Sequence, residues 1–307
     1  MSLGLVPSAG GAEIAMSVFT ILEAPSVLGL GPTGVEKLPE ALLKAGLAER
    51  LRATHGGRVE PLAYSDVRGS DTQVLNTLSI LEYTVRLSDK ILPIIARGEF
   101  PLVLGGDCSI LLGSMLALRQ RGRYGLLFID GHMDFYSPET SPSGEAADMD
   151  LALATGRGPD IITNVRGLSP LVRDADVVVL GHRDSDEAAR DSAPELPASI
   201  AAFNLAHVRR VGAKNAACAA IEILARSELE GFWIHLDVDV LDDAVMPAVD
   251  YRMPDGLSLD ELSCVLRIAV ASGKSVGLEV TIFNPRLDPD GVAAHRLVSC
   301  IVSALRE

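Results

Sequence analysis

The sequence predicts an α/β protein: a three-layer α/β/α sandwich in which a mainly parallel sheet lies between two helical layers. Short apolar runs alternate from end to end with longer segments whose apolar residues recur every three or four positions. Acidic clusters follow directly on several of those runs, where a parallel sheet offers the carboxyl ends of its strands to ligands. With 307 residues, 48% of them hydrophobic, and no internal repeat or low-complexity linker, residues 1–307 read as a single domain with one large core.

Ser17 to Leu22 is the first expected strand. A Gly/Pro-rich loop follows, then a helix over about Leu38 to Arg52 with Pro39 tolerated in its first turn. Thr72 to Ala96 reads as a long helix, with Val74, Leu78, Leu81 and Val85 as core positions at three- and four-residue spacing, the pattern resuming at Leu92, and Pro93 as a kink point. Leu102 to Leu104 is a short strand, Gly105-Gly106 a turn and Ser109 to Arg119 a helix. Tyr124 to Ile129 is a buried strand, and Asp130 to Asp150 a long loop containing Pro, Ser and Gly, of the kind that carries function at a strand end. Strand Asp176 to Leu180, helix Lys214 to Arg226, strand Phe232 to Leu236, helix Ser258 to Ala271, strand Ser275 to Thr281 and a terminal helix from about Gly291 complete the alternation.

Lys and Arg number 27 against 41 Asp and Glu, a net charge of −14. That field opposes nucleic acid and anionic membranes and mildly favours small cations. The four cysteines, Cys108, Cys218, Cys264 and Cys300, match neither a zinc knuckle nor a disulfide framework, which fits a reducing cytosol. The last three lie in helical apolar contexts and read as small buried hydrophobes. No run is long enough to span a bilayer, and the start of the chain has no basic region followed by an apolar stretch, so the expected location is cytoplasmic.

Two clusters look like halves of one metal site: Asp130-Gly131-His132-Met133-Asp134 and Asp237-Val238-Asp239. Residues two apart in a strand share a face, so each cluster aims its side chains one way. Five such donors converging would repel one another and resist desolvation unless cations sat between them. Gly105-Gly106-Asp107 at a third strand end strengthens the case for one shared site.

This combination resembles the arginase family of ureohydrolases, the binuclear manganese enzymes that include arginase, agmatinase and formiminoglutamase. The family's Gly-Gly-Asp-His-Ser appears as Gly105-Gly106-Asp107-Cys108-Ser109, its Asp-x-His-x-Asp as Asp130 to Asp134, and its Ser-x-Asp-x-Asp as His235-Leu236-Asp237-Val238-Asp239 leading to Pro247-Ala248. The likeness runs from Gly34-Val35-Glu36-Lys37-Leu38-Pro39 to Asn284-Pro285. It implies that Asp130, His132, Asp134, Asp237 and Asp239 match five of six ligands of a centre holding two Mn2+ ions, and that Cys108 stands where the sixth, a histidine, belongs. A thiolate there shifts preference toward Zn2+ or Fe2+. The other reading of Cys108 is a buried thiol with one ion weak or missing. The resemblance further implies a hydroxide bridged by two ions attacking an amidine or guanidinium carbon, with Asp134 as proton carrier, in a homo-trimer or hexamer.

Departures fall in the substrate shell. The family glutamate two residues before Asn-Pro is Ile282, which cannot pair with a guanidinium, and Glu279 lies at odd spacing that turns it to the other face of an ideal strand. A proton-shuttling histidine corresponds to Ala147, and the asparagine that reads the amino-acid end of arginine to Tyr136. Ser143 and Asp186 match substrate-binding positions, though both also suit loop capping. His235 either lines the site by alternation or is packed with its nitrogens satisfied elsewhere, and Asp250 either receives a cation or is a solvated loop carboxylate. The expectation is a hydrolase of a linear amidine or guanidino-type C–N bond with a small-molecule substrate other than L-arginine. The alternative is an arginase-like protein keeping fold and metal without turnover.

Overall fold

Eight segments become strands of one sheet in which every pairing is parallel: β1 (Phe19–Glu23), β2 (Thr54–Arg58), β3 (Phe100–Leu104), β4 (Gly125–Ile129), β5 (Val177–Leu180), β6 (Ala201–Phe203), β7 (Phe232–Asp237) and β8 (Ser275–Thr281). The computed structural model describes residues 18–306, so Ser17, the expected start of the first strand, lies outside the described residues. Strand order is β2-β1-β3-β8-β7-β4-β5-β6. The chain builds one half outward from β1, crosses to build the other from β4, then returns to lay β7 and β8 between them. The carboxyl ends of β3, β8, β7 and β4 therefore stand side by side at mid-sheet, where open α/β sheets bind ligands.

Alternation splits the strand residues between two cores. Leu102, Leu127, Ile129, Ile234 and Leu236 pack with the helices Leu38–Lys44, Leu47–Leu51, Ala213–Leu224, Leu259–Ala271 and Val292–Arg306. Val103, Leu126, Phe128, Val179 and Trp233 face the helices Thr77–Ala96, Leu111–Arg119 and Asp150–Ala154 on the other side. The expected three layers are present.

Several boundaries shift for local reasons. The helix expected over Leu38 to Arg52 is two helices, because Gly46 adopts φ +91° between them. The long helix begins at Thr77, after a turn closed by the Thr72 and Thr77 hydroxyls at 2.7 Å and by Asn76 at φ +51°. Pro93 lies in its last turn and the helix continues to Ala96, but its buried face is Ile80, Tyr83, Leu87, Ile91 and Ile94, whereas Leu78, expected in the core, is exposed and Leu81 and Val85 are half-buried. Cys218 is exposed on its helix, unlike the buried thiols of Cys108 and Cys300. Among the described residues, no helix is long and apolar enough to cross a membrane.

Candidate metal centre

Each motif sits on a turn whose own backbone its aspartates satisfy. Asp107 caps the turn Cys108–Ile110 by accepting from the Ser109 amide at 2.9 Å. Asp130 Oδ1 accepts from the His132 amide at 2.6 Å, and Asp237 Oδ1 from the Asp239 amide at 2.7 Å. Two glycines allow the strand ends to close together. A Cβ on Gly106 would lie 1.8 Å from the Ser26 carbonyl oxygen, and one on Gly131 would lie 2.5 Å from Arg183 Nη1. Arg183, in the segment after β5, bonds the Asp239 carbonyl at 2.9 Å and the Leu241 carbonyl at 3.3 Å through its side chain and donates its amide to the Gly131 carbonyl at 2.8 Å, fixing the turn after β7 against that after β4.

The six residues expected as ligands do come together. Donor atoms of Cys108, Asp130 and Asp134 lie within 4.8 Å of one another, as do those of Asp130, His132 and Asp239. The Cys108 thiol donates to Asp237 Oδ2 at 2.9 Å and reaches the Thr281 hydroxyl at 3.2 Å. His132 Nδ1 is 2.9 Å from Asp239 Oδ2 and 3.6 Å from Asp130 Oδ1.

Electrostatics mark the cluster as short of positive charge. Burial, then the charges of Asp130 and Asp150, pushes the Asp134 carboxyl well above the usual carboxylate range. Burial, then Asp239 and Asp130, does the same to Asp237, while burial followed by Asp239 pushes Asp130 up to about 6. Burial and Asp237 raise the Cys108 thiol. Burial opposes a charge on His132, yet Asp239 and Asp130 outweigh it and raise the imidazole well above its ordinary value. Several buried oxygens and nitrogens here have no hydrogen-bond partner among the described residues: Asp107 Oδ2, Asp130 Oδ2, both oxygens of Asp150 and His235 Nε2. Orphaned acceptors in a carboxylate cluster are what a divalent cation satisfies, so the donor set fits metal.

Above the cluster lies a cavity of about 260 Å³ with Cys108, His132, Asp134, Asp237 and Asp239 among its lining residues. Among the described residues, Glu145, Asp148, Asp184, Glu187 and Asp191 add five wall carboxylates, and no Lys or Arg lines the cavity. Tyr136, Ala147 and Ile282 all face it. The Tyr136 hydroxyl donates to Asp191 at 2.9 Å. Ser143 lines the cavity too, while its hydroxyl donates to Asp148 at 3.0 Å and accepts from the Glu145 amide at 3.1 Å, so it also caps its loop.

Asp186 stands elsewhere. It is exposed in the first turn of the helix Ser185–Arg190 and does not line the cavity, whereas Glu187 and Asp191, one turn apart, do. Asp250 accepts from Thr33 at 2.7 Å and from Asn284 at 2.8 Å, tying two loops together. Glu279 is fully buried and bonds His235 Nδ1 at 2.7 Å. His235 packs flat on Phe128, with centroids 4.6 Å apart, beneath the motif residues rather than on the cavity wall.

Asp150, Asp184, Glu187 and Asp191 escaped the sequence reading. Asp184 had a usable signal, since Gly181-His182-Arg183-Asp184 follows the end of β5 as the other motifs follow theirs. Its Oδ2 accepts from the Met133 amide at 3.1 Å and so supports the loop bearing His132 and Asp134. Asp150 had none, because its approach to the cluster depends on the path of a long loop.

A parallel α/β sheet with a carboxylate-rich pocket over its central strand ends defines the class of α/β proteins that bind a ligand or metal at the carboxyl edge of the sheet. The chain belongs to the arginase family, whose model matches residues 18–305. It is 30% identical over 289 residues to an arginase from Staphylococcus aureus (strain MSSA476), covering 92% of this chain and 94% of that one. The arginase structure from Bacillus caldovelox is 27% identical, with a TM-score of 0.85 over 95% of this chain and 99% of that one. The formimidoylglutamase structure from Bacillus subtilis subsp. subtilis shares the fold at 17% identity, with a TM-score of 0.71 over 94% and 86% of the two chains.

Proposed function

We propose that the protein is a metal-dependent hydrolase that cleaves the C–N bond of a linear amidine or related guanidino-type compound other than L-arginine. One observation carries the reading: among the described residues, metal-type donors from three strand ends form the floor of a small cavity walled by carboxylates and free of Lys and Arg. Such a lining suits a cation, and the net charge of −14 draws cations toward it. Two divalent ions, when bound, supply a nucleophilic water of lowered pKa and balance the buried negative charge.

The chain's own residues do the rest. Asp134 borders both the donor cluster and the cavity, which supports it as the carrier of a proton from the nucleophile to the leaving nitrogen. Glu187 and Asp191 on the wall are the groups to pair with the substrate's cationic end, a role the exposed Asp186 leaves open, and Ser143 orients Asp148 beside them. Ile282 offers nothing to a guanidinium, which supports exclusion of L-arginine. Ile282 and the thiol at Cys108 also favour a second reading, a protein that keeps fold and metal without turnover. Thiolate ligation by Cys108 would favour Zn2+ or Fe2+ over Mn2+. By the same family likeness the working form is a cytoplasmic homo-trimer or hexamer, and sedimentation as a monomer would remove the assembly expectation.

Protein reconstituted in parallel with Mn2+, Zn2+ or Fe2+, scored on whichever metal loads best, and given a panel of linear amidines and guanidines tests the two readings. The expected result is about two ions per chain with release of urea, ammonia or formamide from a compound other than L-arginine. Full metal loading without turnover of any panel member selects the second reading. One ion or none sinks the hydrolase.

A further inference from the structure

Two fully buried side chains beside the motif cluster are unexplained by the six-ligand set. His235 is 0% exposed, with its ring clamped against Phe128 at an interplanar angle of 9°. Its Nδ1 meets Glu279 Oε1 at 2.7 Å, and the other oxygen of Glu279 accepts from the Ser114 hydroxyl at 2.5 Å. A carboxylate acceptor at Nδ1 fixes the tautomer that carries its proton there, leaving a bare lone pair on Nε2. This is how a metal-binding histidine is oriented, through a carboxylate behind it that sets the tautomer and raises basicity. Among the described residues the Nε2 atom has no hydrogen-bond partner, and it lies 3.9 Å from Asp130 Oδ2, itself without one.

Asp150 is the second residue. It is 0% exposed, and among the described residues neither of its carboxylate oxygens has a partner at full hydrogen-bond geometry, the Leu151 amide making only a loose approach. Cys108 Sγ, an Asp150 oxygen and a His235 ring nitrogen lie within 4.8 Å of one another. The three do not read as a nucleophile with its base, because the thiol's contacts are Asp237 and Thr281 rather than the imidazole. One sulfur, one nitrogen and one oxygen donor, each from a different segment, match the three protein ligands of an open zinc-type site whose fourth position a water would fill.

We infer that Cys108, Asp150 and His235 bind one divalent ion of the zinc type, with His235 Nε2 supplying the imidazole that the turn after β3 lacks. The inference deepens the hydrolase reading, and rests on it for this ion's role as the inner member of the pair. Glu279 is a positioning residue for the imidazole, which explains its burial away from the cavity.

Chelator-treated protein reloaded with Co2+ alone tests it without substrate. The wild type should show a thiolate-to-cobalt charge-transfer band together with the intense visible bands of four-coordinate cobalt. His235→Gln and Asp150→Asn should each weaken the cobalt equivalent carrying that band, and Glu279→Gln should weaken it about 10- to 100-fold through the imidazole. Band, stoichiometry and affinity unchanged in H235Q and D150N overturn the inference. Because a core variant can fail to fold, anomalous diffraction from wild-type crystals grown with zinc decides independently. A peak about 2.3 Å from Cys108 Sγ and about 2.0 Å from His235 Nε2 supports the site, and zinc bound only by Cys108, Asp130, Asp134 and Asp237 overturns it. A normal cobalt spectrum with no amidine turnover would remove the hydrolase reading and leave this site standing. Turnover by two ions that both miss His235 would do the reverse.

Discussion

Among the described residues, Ile282 is the one β-branched side chain at positive φ. It sits at φ +68°, a left-handed conformation that a β-branched side chain adopts only under constraint, at a cost of about 1–3 kcal/mol. Its amide donates to the Gly106 carbonyl at 2.9 Å and its side chain is 4% exposed, so the contact between the ends of β3 and β8 holds it there, facing the cavity. If the missing charge at this position is what excludes L-arginine, Ile282→Glu should raise kcat/KM for it about ten- to a hundredfold, the value of one charge-assisted hydrogen bond. Steady-state kinetics with L-arginine check it, with metal content confirmed equal to wild type. An unchanged kcat/KM would assign the block to Tyr136 or Ala147, which share the cavity wall. At this scale the sequence was informative about where the donors fall along the chain. Asp130 to Asp134, Asp237 and Asp239 announce themselves by following apolar runs, but they lie at or beyond the ends of β4 and β7 on turns, with Asp134 at φ +46°. Turn geometry rather than the expected strand alternation brings them together, and the pairing of His235 with Glu279 depends on direct register between β7 and β8, which no local pattern contains.

The elements that carry the site are the legible ones, and the two strands missed from the sequence are the two sheet edges. β2, Thr-His-Gly-Gly-Arg, has no apolar alternation because much of it faces solvent, and β6 is three residues long. Strands β3, β4, β5 and β7 are buried along their whole lengths and so read as continuous apolar runs. Their ends are then brought together by glycine at the turn after β3. Gly106→Ala should force the Ser26 backbone and this turn apart, since the new Cβ would overlap the Ser26 carbonyl oxygen at 1.8 Å and backbone cannot swing away as a side chain can. Overpacking of this kind costs about 1–3 kcal/mol or more. Chemical denaturation should show that loss, and metal affinity should fall with it, because Cys108 follows two residues later. A variant with wild-type stability and affinity would mean that the strand-end packing does not set the site.

Across the whole molecule, a chain already carrying −14 gathers its carboxylates around one buried point, and pH should reveal how that is tolerated. Asp130 is pushed up to about 6 chiefly by burial and then by Asp239, and burial raises Asp134, Asp150 and Asp237 well above the usual range. In the unfolded chain these groups release their protons near pH 4. Between that value and their raised folded values the native state holds more protons than the unfolded state, so the metal-free protein loses stability as pH rises through the interval. His132 acts in the same direction: burial opposes its charge but Asp239 and Asp130 raise it, and the stability it contributes below its ordinary value disappears as pH rises through the folded one. Asp239, lowered by His132 despite its burial, runs the other way, but its window lies below the ordinary carboxylate value. Chelator-treated protein should therefore unfold at progressively lower denaturant concentration from about pH 5 to about pH 8, while metal-loaded protein should not, because a divalent ion replaces the protons the cluster otherwise retains. The separation between the two midpoints should widen with pH, and calorimetry in buffers of different ionisation enthalpy should record protons released on loading. A constant separation with no proton release would mean that ions bind somewhere other than among these carboxylates, and the six-residue centre would have to be abandoned.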